Sequence, residues 1–422
     1  MIKILFITLG HLSGGEFTIA FEFSKRLSPK KYDVCFLTSK KGEKYLIENQ
    51  IKHVTLEQLG ISSLGEDKVR NRAITEKLLQ EFRPDYIIAS DVYTLWYSYT
   101  WTGLNIEMFQ DYGIPFGSFD SYEFGSTDYV QDYYGGYKAV LPKLIDQCDF
   151  VIRYCPINKL GNADQRIKYT YLYERASLSD QAKREDFHKK YRPNGNEKVI
   201  FMTNSDWESL NVNRLPALSN LLQWTPRIIM NYLADLDEMI TIIHVGPHSW
   251  ELPQEVKSQI LYYHYPFLSP QEFDDLLSLS DLFITTNVIS STLAKAVYRF
   301  IPSIVLQNDK LIDFNRLSGS LSKMPPWYQK MAQEVKIVYP FRLFPFGWFH
   351  FLETVLSNND YMDTFIQCNM FQLHKVRNLL HRYLSDTDAR EDLIHRQEQY
   401  IERILQLPSS EEVIVSLKDI KK

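Results

Sequence analysis

Between the apolar run "IKILFIT", residues 2–8, and a helix-patterned stretch from about Gly15 to Leu27 lies a turn that holds His11, Gly14, Gly15 and Glu16. A strand, a glycine-containing turn and a helix in that order let something small and polar approach the turn. An imidazole or a carboxylate placed there can take a proton from a reacting hydroxyl. Further acids stand directly after apolar runs: Asp91 after "DYIIAS", and Asp120 and Glu123 after "GIPFGSF". In the second half, Ser290, Ser291 and Thr292 open a helical pattern, where free backbone N–H groups, hydroxyls and the positive end of the helix dipole suit a diphosphate. Gln307, Asn308 and Asp309 follow "PSIVLQ", and His244, Gly246 and Pro247 end "ITIIHVG" in the same way. Each has a plainer reading: Ser and Thr cap helices, an acid in a first turn complements the dipole, and the rest are polar loop residues.

The elements that must position these groups alternate in type. "IKILFIT", "YDVCFLT", "KHVTLE", "DYIIAS", "GIPFGSFD" and "DFVIRYC" read as strands, with helices over residues 15–27, "GEKYLIENQ" and "NRAITEKLLQEF" between the earlier ones. Such a rhythm predicts parallel pairing with right-handed crossovers. Pro, Gly and Asn cluster among charges in "KKYRPNGNE", residues 189–197, as in a linker. The rhythm then restarts with "KVIFMTN", "ITIIHVG", "QILYYHY", "DLFITT" and "PSIVLQ", and "AREDLIHRQEQYIERILQL" reads as a long amphipathic helix. The expected fold class is α/β: two Rossmann-like domains with parallel sheets facing a central cleft. Their expected extents are 1–190 and 197–390, with a terminal helix and tail over 391–422.

Residues 263–309 contain a strand "DLFITTN", a turn "VISST", an Ala-containing helix "LAKAVYRF" and a Pro-led strand "IPSIVLQ". This order resembles the donor-binding segment of GT-B glycosyltransferases, including the UDP-glucuronosyl type and the N-acetylglucosaminyltransferase of peptidoglycan synthesis. The resemblance implies a terminal helix that returns to the N-terminal domain. It also implies a nucleotide-sugar donor, UDP- or dTDP-linked, held by Ser290, Ser291, Thr292, His244, Gly246, Gln307, Asn308 and Asp309, with Gly14 and Gly15 approaching its phosphates. Two positions depart from the family pattern. Ile289 replaces a glycine, and Lys295 stands where an acid usually holds the ribose, so either Lys295 pairs with a phosphate or the nucleotide sits differently. Laid on the family's glycine-histidine pattern, Glu16 falls where the catalytic histidine stands, so Glu16 or His11 is the expected general base, with Asp91 beside it. Tyr93, Trp96, Asp120 and Glu123 are the expected acceptor-binding residues.

Composition narrows the classes. The chain has 422 residues, 47 Lys+Arg against 52 Asp+Glu and a net charge of −5, without the basic excess of a nucleic-acid binder. Its four cysteines show no metal or disulfide spacing, and no apolar run approaches a membrane span, so a cytoplasmic protein is expected. Neither GxGxxG nor GK[ST] is present, and "ADLDEM" lies in a helical context, so no metal or other cofactor is expected. The expected activity is an inverting, metal-independent transfer of a sugar to a small acceptor of aromatic or polyketide-like character, as in natural-product biosynthesis. Two rivals share the fold: a nucleotide-sugar 2-epimerase, and a ligand-binding protein without turnover.

Overall fold

A computed structural model describes residues 1–10, 14–60, 63–123, 130–133, 137–140, 142–175, 181–204, 219–252, 260–307, 321–336, 352 and 355–421. The strands are β1 (Ile2–Thr8), β2 (Tyr32–Ser39), β3 (His53–Leu56), β4 (Tyr86–Ala89), β5 (Phe116–Phe119), β6 (Val130–Tyr133), β7 (Tyr137–Val140), β8 (Phe150–Cys155), β9 (Ile167–Tyr171), β10 (Lys198–Thr203), β11 (Ile240–Val245), β12 (Ile260–Tyr265), β13 (Leu282–Thr285), β14 (Ser303–Gln307) and β15 (Ile366–Asn369). The helices are α1 (Gly15–Lys25), α2 (Lys40–Glu48), α3 (Leu64–Phe82), α4 (Val92–Thr102), α5 (Ile106–Gln110), α6 (Gln181–Tyr191), α7 (Ser219–Ala234), α8 (Pro270–Ser278), α9 (Ser291–Tyr298), α10 (Pro326–Lys336), α11 (Leu373–Ser385), α12 (Thr387–Ile404) and α13 (Ser410–Ser416).

Two parallel sheets carry the architecture. The first has seven strands in the order β3-β2-β1-β4-β5-β8-β9, the second six in the order β12-β11-β10-β13-β14-β15. In both, the order reverses beside the first strand of the unit, between β1 and β4 and between β10 and β13. That reversal opens a crevice at the carboxyl ends of the strands, where ligands of such sheets bind. The strands are apolar on both faces because helices cover both; Ile4, Leu5 and Phe6 are all fully buried. β6 and β7 form a separate antiparallel hairpin.

One apolar cluster joins the halves, running from Phe6, Phe23 and Tyr154 through Val199, Phe201 and Tyr298 to Tyr400, Ile404 and Val413. The end of the chain returns to the first half. The Tyr400 hydroxyl donates to the Pro156 carbonyl at 3.0 Å, and Thr170 Oγ1 donates to that of Pro408 at 2.7 Å. Glu411 accepts from the Ser28 amide at 3.0 Å and pairs with Lys31 at 2.8 Å.

One local expectation needs correction. "ADLDEM" is not within a helix: α7 ends at Ala234, and Asp235, paired with Arg377, begins a turn into β11. Residues 189–197, read as a linker from the sequence, are locally ordered. α6 continues to Tyr191, and the turn after it is tied down by Glu197, whose carboxylate accepts from the Asn194 amide at 2.9 Å. Gly195 supplies the positive φ of 87° that the turn requires.

Candidate active site

The first crevice is built by the segments that leave β1 and β4. Glu16 stands in the first turn of α1, and Asp91 caps α4, its Oδ1 accepting from the Tyr93 amide at 2.9 Å. The Val92 amide is held by Ser118 Oγ from neighbouring β5 at 3.0 Å, which fixes the start of α4 against the sheet. These two helix starts bring the carboxyls to one hydroxyl: Thr94 Oγ1 lies 2.6 Å from Glu16 Oε1 and 3.1 Å from Asp91 Oδ2. A hydroxyl has one proton to give, so Thr94 donates to one of the two carboxyls at a time. Glu16 Oε2 is buried and has no hydrogen-bond partner among the described residues.

Burial, then the charge of Asp91, pushes Glu16 up to about 8, against the Thr94 hydrogen bond. Asp91 is raised to about 6, mainly by burial, with the Tyr93 amide and Thr94 working against it. Glu16 is therefore the group that keeps the proton near neutral pH. The Tyr122 phenol is pushed well above its ordinary range by burial and then by Asp91, so it stays neutral beside the pair. Thr94 was not anticipated from the sequence. The available signal was its spacing from Asp91, since residues three apart at a helix start share a face.

Asp120 and Glu123 are not part of this pair. Asp120 Oδ2 is gripped at 3.0 Å by Nε and by Nη2 of Arg153, and its carbonyl accepts from Asn158 at 2.9 Å, which ties β5 to β8. Glu123 is buried at a positive φ of 56°, and its carboxylate accepts from the Lys159 amide at 3.1 Å. Tyr93 is buried, its hydroxyl donating to the Pro142 carbonyl at 2.9 Å. Trp96 is exposed and lies beside Tyr97, ring centroids 4.8 Å apart. Gly14 precedes α1, and its carbonyl accepts from both the amide and the hydroxyl of Thr18 at 2.9 Å; Gly15 begins the helix. His11 lies outside the described residues.

The second crevice lies at the ends of β10 and β13. Ser290 caps α9, its Oγ accepting from the Thr292 amide at 3.1 Å and the Leu293 amide at 3.4 Å. The cap thus occupies two of the helix's free donors and leaves the Ser291 amide and two hydroxyls at that end. In β11, His244 is fully buried between Asn204 Oδ1, 2.9 Å from Nε2, and the Tyr262 hydroxyl, 2.7 Å from Nδ1. Burial, reinforced by His264, holds this imidazole down to about 3, so it is neutral. A Cβ at Gly246 would lie 3.0 Å from His244 Nε2, so a side chain there would crowd the imidazole. Gln307 donates to Gln367 on adjacent β15 at 2.6 Å. Asn308 and Asp309 lie outside the described residues. Lys295 does not point to an open anion site: its ammonium lies between Glu22 and Asp274, at 3.1 and 3.0 Å.

Solved structures to which the chain is similar include glycosyltransferases. The chain is similar to the spinosyn forosaminyltransferase SpnP, at 12% identity and a TM-score of 0.54, with 100% of this chain and 99% of that one covered. It is similar to a glycosyltransferase from Rickettsia africae ESF-5 at 13% identity and TM-score 0.53, over 100% and 99% of the two chains. The glycosyltransferase VinC, solved in complex with DTDP, matches at 11% identity and TM-score 0.52, again over 100% and 99%. Likeness at this level establishes the fold: the chain is GT-B, with two Rossmann-like domains, as its sequence led one to expect. No curated protein sequence matches it. The model of a protein family does match, over residues 23–419, and the chain belongs to that family, described as a family of unknown function (DUF6365).

Proposed function

We propose that the protein is a glycosyltransferase that moves a sugar from a nucleoside-diphosphate sugar to the hydroxyl of a small acceptor, with Glu16 as general base. The observation that carries this reading is the Glu16–Thr94–Asp91 constellation at the switch point of the first sheet. An ionised Glu16 takes the acceptor's proton as its oxygen attacks the anomeric carbon. The bond from that carbon to the diphosphate breaks, inverting the centre, and the charge that develops is met by the Ser291 amide and the hydroxyls at the start of α9. The donor is UDP- or dTDP-linked, and the aromatic side chains of α4, exposed Trp96 and Tyr97 among them, favour an aromatic or polyketide-like acceptor. No metal is assigned a part, and the protein works in the cytoplasm. The domains divide within residues 189–197, as 1–190 and 197–390, with the donor on the second.

The test is turnover of a panel of UDP- and dTDP-sugars with and without phenolic acceptors, followed by mass spectrometry. Transfer that requires an acceptor supports the reading. Conversion of the nucleotide sugar alone means an epimerase, and binding without conversion means a protein that has lost catalysis.

A further inference from the structure

α1 and α9 follow the switch-point strands of opposite sheets and pack on one another between the two halves. Each carries a piece of the proposed chemistry at its start and a charged residue further along. On α1, Glu22 lies six residues beyond Glu16, about 9 Å along the axis at 1.5 Å per residue. On α9, Lys295 lies one turn beyond Ser291. Lys295 Nζ is 3.1 Å from Glu22 Oε1 and 3.0 Å from Asp274 Oδ1, and Asp274 Oδ2 is 2.9 Å from Arg299 Nη2. Lys25 reaches Glu22 Oε2 from solvent at 3.3 Å. The Lys295 and Glu22 side chains are only 10% and 12% exposed. The rings of Tyr173 and Phe273 complete the surroundings of the ammonium, at 5.6 and 6.0 Å.

The charges do not balance within one half. On the second half, Lys295 and Arg299 share Asp274, which leaves a surplus positive charge in a largely dry place. Glu22 from the first half meets it through Oε1, while its partner on the same helix, Lys25, keeps its ammonium at the solvent side on Oε2. A cluster that closes only when both halves contribute is costly to pull apart, because separation leaves an uncompensated buried charge.

We propose that Lys295 is a positioning residue for sugar transfer: through Glu22 it pins α9 to α1 and so fixes the donor's diphosphate site relative to the Glu16 carboxyl. This rests on the transferase reading above. A pin between two rigid helices sets the distance between base and donor, and a displacement of about 1 Å in such a geometry can cost about 100-fold in rate. It also gives the lysine at the position of the family's ribose-holding acid work that needs no contact with nucleotide.

Glu22→Gln is the informative variant, because it removes the link while leaving Lys295 paired with Asp274. It should lower kcat about 10- to 100-fold and leave the Kd for UDP or dTDP, by calorimetry, within a few-fold. Lys295→Met should do the same, the double variant should lose no more than either single one, and Lys295→Arg should retain most of the rate. An unchanged kcat, or a Kd that weakens in step with kcat for Lys295→Met alone, overturns the proposal, the latter by making Lys295 a donor ligand. A second readout is independent of turnover. The four native cysteines are buried, so spin labels at Lys77→Cys on α3 and Lys375→Cys on α11, both exposed, report the separation of the halves. Glu22→Gln should shift or broaden that distance distribution. An identical distribution overturns the pin even if the protein proves to transfer no sugar.

Discussion

A carboxyl that ionises near pH 8 is a poor base at neutrality and a good one above it. If Glu16 takes the acceptor's proton, kcat/KM should rise with pH and level off above about 8, the value set by burial and the neighbouring Asp91 charge. Glu16→Gln should cost about 100- to 10,000-fold in kcat while donor affinity holds. Thr94→Val tests the bridge: the hydroxyl favours the ionised form of Glu16, so without it the inflection should move to higher pH. The same group leaves a mark on stability. Its folded pKa is raised above the ordinary 4.5, so the folded state holds a proton that the unfolded chain has released. The resulting stabilisation is complete below about 4.5 and is lost as pH rises towards 8. Urea denaturation at pH 5 and pH 8 should therefore show a smaller loss across that interval for Glu16→Gln than for the unmodified protein.

At the level of elements, α9 depends on its cap and β5 on its lack of a side chain at one position. Ser290→Ala frees two amides and should lower stability by about 1 kcal/mol in urea titration. Gly117 faces the Phe150 ring so closely that a Cβ would meet it at 2.2 Å, and Gly117→Ala should destabilise by about 1–3 kcal/mol. The parallel strands were legible because "IKILFIT" or "DLFITT" is a near-continuous β-branched and aromatic run, as burial on both faces demands. β9 was not, since "IKYTY" sits at a sheet edge and mixes Lys and Thr with its aromatics. Glu16 and Asp91 could each be picked out as acids at strand ends. Their meeting could not, because it passes through Thr94, 78 residues from Glu16, and depends on which strands are neighbours. For the same reason Asp120 was indistinguishable from Asp91 until Arg153 was seen on it.

Taken whole, the molecule shares one apolar cluster between its two sheets, so the halves should not melt separately. Calorimetry should give a single transition, and two resolved transitions would contradict that cluster's energetic weight. The returning end of the chain adds to the coupling. Val413, Ile414 and Leu417 are almost fully buried, and α13 lies against β9. Removing residues 406–422 should therefore speed amide exchange in β9 and near Lys31 and Tyr32, while β10, β11, β13 and β14 remain protected. That return also sets a schedule for the growing polypeptide. Thr170, at the end of β9, must wait for Pro408, 238 positions later, to leave the ribosome. At roughly 5–20 residues per second the delay is on the order of ten to fifty seconds. During it, an outermost strand of the first sheet stands uncovered, open to pairing with a stranger. A nascent chain of this protein is thus expected to need a chaperone's protection most at a stage when its first sheet is already made.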